Sequence, residues 1–349
     1  MSSLEEGELP RVEVKKFMST QSCRSGDIIN ELFELITIVG KGASGTVWSA
    51  WTIRPDSLDR RQVAVKICTN TVAHAKDNIQ QMARKIATIN AKEKQDCFVS
   101  DLFAGTLRDI LLGEDLIPSQ QVREIAWQIF AGLDFLHELD VVHSDIKPEN
   151  IALTNVEMLA VQELDKTGKF VTKFILKNPR IKIIDFDEAR ASHHKWWNPV
   201  STVQYQAPEI ICANPFRIDT GWTEAVDVFA GACVVDELQT GRPFLPPTDN
   251  ISLVLAYLEQ SIGRISRGFA HEVHLVHPST TSKIDPWRFL LPATIPDGKE
   301  RSYKQVSKAH PLWMVIQRAD LVDLLRKTLY ADPIGCLTAA GALRHGYLS

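Results

Sequence analysis

No stretch of this 349-residue sequence is apolar for long enough to cross a bilayer. The most apolar candidate, AVDVFAGACVVDEL at 225–238, is too short and carries Asp227 and Asp236. Cysteine is scarce: six residues lie scattered with no C-x-x-C pair, which argues against a disulfide framework and against a zinc site of that spacing. Reduced thiols of this kind suit a nuclear or cytoplasmic protein. There is also no long block of one charge sign. With 39 basic against 43 acidic side chains the formal net charge is −4, so no general attraction to nucleic acid or to anionic lipid is written in. The opening MSSLEEGELPRVEVKK lacks the basic-then-apolar order of a secretory signal. No internal repeat is visible. HEVHLVH, with His271, His274 and His277, lacks the HExxH spacing and reads as surface helix or loop rather than a metal site.

What remains is the composition of a folded protein, 44% hydrophobic and 23% charged, long enough for one large or two medium domains. Residues 1–30 mix Ser, Glu, Gly and Lys without sustained periodicity and read as a flexible tail with some local structure. From Glu31 the pattern changes. ELITIVG, GTVWSAW and RQVAVKIC are short β-branched or aromatic runs separated by turn residues, the signature of a small antiparallel sheet. Ile79, Met82, Ala83, Ile86 and Ile89 fall on one helical face, and a longer stripe runs through Val122, Ile125, Ala126, Ile129, Phe130, Leu133 and Leu136. Beyond it the chain reads as mostly helical, apart from RIKIIDF at 180–186. The expected fold class is α+β, with a strand-rich lobe over 31–103 and a helix-rich lobe over 104–349.

VGKGASGTV at 39–47 places glycines at 40, 42 and 45. A lone G-x-G-x-x-G is shared with dinucleotide-binding folds, but those need a helix opening on the glycines, and TVWSAW alternates like a strand. Taken alone, the stretch is equally a structural hairpin or one whose backbone covers nucleotide phosphates, close approach being possible where no Cβ intervenes. VAVK, ending at Lys66, is equally a strand-edge surface lysine or an ammonium placed for phosphates. VVHSDIKPEN at 141–150 crowds two carboxylates, a lysine, an imidazole and an amide into ten residues.

Taken together these stretches resemble the eukaryotic protein kinases over residues 31–349. His143-Ser-Asp145-Ile-Lys147-Pro-Glu-Asn150 is similar to the kinase catalytic loop and Asp185-Phe186-Asp187 to the magnesium-binding motif. Ala207-Pro208-Glu209 is similar to the close of the activation segment, and Asp227 with Gly231 to the buried helix after it. The resemblance implies a two-lobed kinase fold using ATP and Mg2+. It implies that Asp145 orients the substrate hydroxyl and accepts its proton, that Lys147 steadies the transferring phosphoryl group, and that Asn150 and Asp185 hold magnesium. Val39, Gly40, Lys41, Gly42, Ala43, Ser44 and Gly45 would cover the nucleotide. Val47, Ala64 and Lys66 would complete its site, with adenine against the backbone of Asp101 to Phe103 at the end of QDCFVSDLF.

Within the kinases the chain looks most like the LAMMER (CDC-like) and SR-protein kinases. Ser144 stands where most kinases have arginine and these families have threonine. Asp145 to Asp185 spans 40 positions, room for an extra hairpin around LDKTGKFVTKF, and VSTVQYQAPE at 200–209 is close to their activation-segment ending. Of the LAMMER signature, Leu255, Ala256, Glu259 and Gly263 fit. Arg/Ser-rich protein substrates follow from this resemblance alone; no direct nucleic-acid or membrane partner is expected, and the chain is expected to be a monomer. Ser144 removes a buried positive charge that would need a phosphate to compensate it. Activity independent of phosphorylation at Ser201, Thr202 or Tyr205 is therefore expected.

The pattern also departs from the family. Asp187 replaces a glycine and removes a residue free to adopt positive φ. Gln80 and Gln81 stand where a helix glutamate should pair with Lys66, and Glu93 falls past the expected helix end. Residues 67–100 are few for a helix and the expected strands, so one element is expected to be cut down. Cys336 stands where an arginine should meet Glu209, and Gln206 replaces another arginine. His193, His194, Trp196 and Trp197 fall in the activation segment, where the tryptophans are expected to pack against the large lobe. These departures keep open a rival class, a pseudokinase that binds nucleotide or scaffolds partners without turnover.

Overall fold

The computed structural model describes residues 23–42, 45–53, 60–68, 97–113, 117–164, 167–192, 201–212, 222–263, 265–280, 288–289, 291 and 298–349. Ala43 and Ser44, the expected helix with Gln80, Gln81 and Glu93, most of the shortened stretch after Lys66, and the His193 to Trp197 cluster lie outside them. The chain divides into two compact units, Met1–Leu102 and Phe103–Ser349.

The first unit is a five-stranded antiparallel sheet in sequential order: β1 (Ile28–Ile29), β2 (Phe33–Gly42), β3 (Gly45–Thr52), β4 (Gln62–Cys68) and β5 (Cys97–Asp101). Ile28 and Ile29 pair with Glu34 and Phe33, so pairing starts inside the stretch read as a tail. A two-residue strand is too short to leave a period in the sequence, yet Ile29 is buried in this unit's core. That core uses one face of the sheet, where Leu35, Trp48, Ala50, Val65 and Ile67 meet. Because successive side chains alternate, the other face carries the intervening residues. There Gly40 lies opposite Val47, Val47 opposite Lys66, and Lys66 opposite Phe98, a single row across four strands. Gly42 pairs with Gly45, so the glycines flank a strand-to-strand connection and no helix opens on them.

In the second unit β6 (Gly105–Thr106) leads into α1 (Leu107–Leu111) and α2 (Ser119–Glu138). The stripe from Val122 to Leu133 that periodicity marks on α2 is fully buried, each large apolar side chain contributing about 1.5–3 kcal/mol. Short strands follow: β7 (Val141–Val142), β8 (Ile151–Leu153), the β9 (Met158–Leu164) and β10 (Phe170–Leu176) hairpin, β11 (Ile181–Ile183) and β12 (Arg190–Ala191). The hairpin occupies the room between Asp145 and Asp185, with Leu164 paired to Phe170.

After α3 (Pro208–Cys212), α4 (Ala225–Thr240) is buried from Val226 to Leu238, which explains its apolar run. Among the described residues no helix is long and apolar enough to cross a membrane. Gly231 lets α4 approach α2 closely: a Cβ there would lie 3.2 Å from Ile129 Cγ2 and 3.3 Å from Leu133 Cδ1. The helices α5 (Ile251–Ile262), α6 (Arg267–Val276), α7 (Glu300–Ser307), α8 (Leu312–Val315), α9 (Ala319–Thr328) and α10 (Ala339–Leu343) complete the unit, α6 carrying His271 and His274.

Candidate active site

Val141-Val142 pairs with Ala191 and Arg190 to make one ladder, and Ile151 to Leu153 pairs with Ile183 to Ile181 to make another. The eight residues between β7 and β8 form the loop that carries the candidate catalytic groups. Asp227, on the first turn of α4, shapes it: its two oxygens accept from the backbone N–H of His143 at 2.7 Å and of Ser144 at 2.8 Å. His137 Nε2 lies 3.2 Å from the same carboxylate. Two buried amides at the loop's start, which water cannot reach, are thereby satisfied. His143 is fully buried, with its Nδ1 accepting from the Asp145 amide and Nε2 donating to the Ile184 carbonyl at 3.0 Å. Its ring packs 4.9 Å from that of Phe186.

The carboxylate of Asp145 is held on both oxygens. Oδ2 accepts from Lys147 Nζ at 2.6 Å and Asn150 Nδ2 at 3.0 Å; Oδ1 accepts from the Thr202 amide at 3.2 Å and hydroxyl at 3.3 Å. Lys147 Nζ also donates to Thr202 Oγ1 at 3.1 Å. Such a carboxylate has one orientation, as a base must. Thr202 was visible in the sequence only as a modifiable hydroxyl. Its place beside Asp145 depends on a contact across 57 positions that no local pattern records.

Asn150 Nδ2 further donates to the Asp145 carbonyl at 2.8 Å, which fixes the amide and leaves its oxygen directed away from Asp145. Asp185 is brought alongside by the β8–β11 ladder and by the Ile184 N–H, which donates to the Asn150 carbonyl at 2.9 Å. Among the described residues no three His, Cys, Asp or Glu side chains form a metal-holding group. One carboxylate with one amide oxygen is a hard donor set that fits magnesium, which keeps waters and takes phosphate oxygens for its remaining positions.

The Asp187 departure is resolved by the backbone. Positive φ falls at Asp185, at 66°, and not at Asp187, which sits in a 3-10 turn over Phe186–Glu188. The freedom of a glycine is not used at 187, so the substitution leaves the turn intact. Ser144 has φ 63°, and its hydroxyl donates to the Glu188 carbonyl while its own carbonyl accepts from the Ser201 hydroxyl. A small hydroxyl side chain therefore ties the loop to both flanking segments. At Glu209, burial pushes the carboxyl up to about 7, with Asp332 adding to the rise. Burial likewise raises the Cys336 thiol, and the nearby Glu209 raises it further. The thiol thus stands beside this carboxyl where the resemblance expects an arginine.

In the first unit, neither Gly40 nor Gly42 has positive φ; among the described residues a Cβ on Gly40 would meet only Val47, at 3.8 Å, and one on Gly42 would meet nothing within 4 Å. Their neighbours in the fold therefore do not demand glycine.

A β-sheet unit with paired glycines, followed by a helical unit that carries a carboxylate, lysine and amide on one loop, has the architecture of the protein kinase fold. The profile of the protein kinase domain matches residues 33–348, and the chain belongs to that family. It is a protein kinase, a divergent relative of the LAMMER or CDC-like kinases. It is 26% identical to the serine/threonine-protein kinase AFC2 of Arabidopsis thaliana, over 93% of this chain and 78% of that protein. To the dual specificity protein kinase CLK1 of Mus musculus it is 27% identical, over 93% of this chain and 68% of the relative. The dual specificity protein kinase KNS1 of Saccharomyces cerevisiae is 35% identical over 44% of this chain and 22% of its own. A crystal structure of a kinase domain superposes with a TM-score of 0.78, covering 94% of this chain and 98% of its own at 24% identity, which shows the fold.

Proposed function

We propose that this chain transfers the γ-phosphate of ATP to Ser or Thr hydroxyls of proteins. Asp145 orients the hydroxyl and takes its proton, and Lys147 steadies the transferring group. Asn150 and Asp185 would hold magnesium, whose charge offsets that of the phosphate oxygens. The observation that carries the reading is the Asp145 carboxylate fixed by Lys147, Asn150 and Thr202 at 2.6–3.3 Å. Gly40 and Gly42, whose fold neighbours leave room for a Cβ, support a backbone kept bare for phosphates, together with Val39, Lys41, Ala43, Ser44 and Gly45. Lys66, in one row with Val47 and Gly40, supports a phosphate contact from the same sheet face, which Ala64 shares. The adenine would bond the backbone from Asp101 to Phe103. Arg/Ser-rich protein segments are the proposed substrates, on the strength of the CDC-like relatives, and the chain is proposed to work as a monomer in nucleus or cytoplasm.

The test is transfer of labelled phosphate from Mg-ATP to an Arg/Ser-rich peptide and to a general basic protein, comparing the chain with Asp145→Asn. Transfer that disappears in the variant is the expected result. Folded protein that transfers nothing would overturn the reading in favour of the pseudokinase.

A further inference from the structure

Arg108, on the short helix α1, joins three elements that are far apart in sequence. Its Nε donates to Glu149 Oε1 at 2.8 Å, its Nη1 to Glu237 Oε1 at 2.9 Å and its Nη2 to the Tyr205 hydroxyl at 2.7 Å. The hydroxyl in turn donates to Glu237 Oε2 at 2.6 Å. Every nitrogen of the planar guanidinium is therefore used, an arrangement that a lysine point charge cannot reproduce. One end of the cluster is closed to water, with the Glu237 side chain 2% exposed, and the other is open, with Glu149 at 46%. Burial works against the arginine's charge, and the hydrogen bonds to Glu149 and Glu237 more than offset it.

The partners of Arg108 sit next to the groups that fix Asp145. Glu149 immediately precedes Asn150, which donates to Asp145 Oδ2; Tyr205 ends the turn that follows Thr202, which donates to Asp145 Oδ1. The two oxygens of that carboxylate are thus held by residues one and three positions away from an Arg108 contact. We propose that Arg108 is a positioning residue for phosphoryl transfer, setting the catalytic loop and the end of the activation segment in one register by bridging Glu149, Tyr205 and Glu237. It touches no reacting atom. The inference rests on Asp145 being the base.

The test uses the full chain with Arg108→Ala, Arg108→Lys and Glu149→Gln. A fourth variant, Arg108→Ala/Glu237→Gln, avoids leaving a bare buried carboxylate. Amide hydrogen exchange of 143–150 and 201–206 is followed without substrate, alongside Tm and, separately, kcat and KM for ATP. In both Arg108→Ala variants exchange should rise at least tenfold in both segments, and kcat should fall at least tenfold with KM for ATP within twofold. Arg108→Lys should behave like Arg108→Ala, whereas Glu149→Gln should loosen 143–150 alone. The double variant should regain Tm without regaining kcat. Unchanged exchange in a folded Arg108→Ala chain, or a double variant that regains both Tm and kcat, would overturn the proposal. A wild-type chain that transfers no phosphate would sink the assignment of Asp145 instead, and the exchange result would still decide the clamp.

Discussion

Asp236 lies on the helix α4 at 4% exposure, and its Oδ1 has no hydrogen-bond partner among the described residues. Burial pushes its carboxyl up from 3.8 to about 7; Arg242 and Thr240 oppose the rise, and Glu237 adds to it. Folded protein therefore holds the proton about a thousandfold more tightly than unfolded chain, and at about 1.4 kcal/mol per power of ten this is about 4 kcal/mol. Because the folded-state value is the raised one, the stabilisation is fully present below the unfolded value and is lost as pH rises through about 7. An Asp236→Asn chain carries no titrating group there, so its stability should fall less than the wild type's between pH 4 and 8. For a unit of this size a kcal/mol corresponds to about 2–4 °C, so the two melting profiles should converge at low pH and separate by roughly 8 °C or more at pH 8. Thermal melts at half-unit steps of pH measure the difference directly, since the Cys233 thiol and Tyr257 hydroxyl, whose values the Asp236 charge also raises, stay protonated throughout this range. A difference in Tm that stays constant from pH 4 to 8 would refute the reasoning, because the carboxyl would then already be ionised in the fold.

Phosphatase treatment should leave transfer activity unchanged. The Ser201, Thr202 and Tyr205 hydroxyls already bond Ser144, Asp145 and Glu237; loss of activity on treatment would show that a phosphate is needed after all. Gly42→Ala should keep Tm within about 2 °C, since the added methyl meets no neighbour among the described residues and costs no positive φ. The same substitution should weaken nucleotide binding, measured by titration with a fluorescent ATP analogue, by about tenfold if the backbone there covers phosphates. Undiminished affinity would mean that the bare glycine serves no ligand.

The sequence by itself determined whatever depends on neighbours a few positions apart. Alternation in GTVWSAW and RQVAVKIC set strands and the face each side chain takes; 3.6-residue spacing set the buried stripe of α2. HSDIKPEN and the Asp185 motif carry their chemistry in contiguous order, so the candidate loop was legible before any coordinate. Tertiary structure alone decided how that loop is held. Asp227 reaches the amides of His143 and Ser144 from 84 and 83 positions away, Thr202 reaches Asp145 across 57, and Arg108 reaches Glu237 across 129. Backbone shape was equally hidden, since positive φ at Asp185 rather than Asp187 follows from the β11 exit and the turn after it. The physical reason is common to these cases. Periodicity records which side of an element faces the core, whereas the meeting of two polar side chains is fixed by how elements pack, and packing joins residues whose separation along the chain carries no signal.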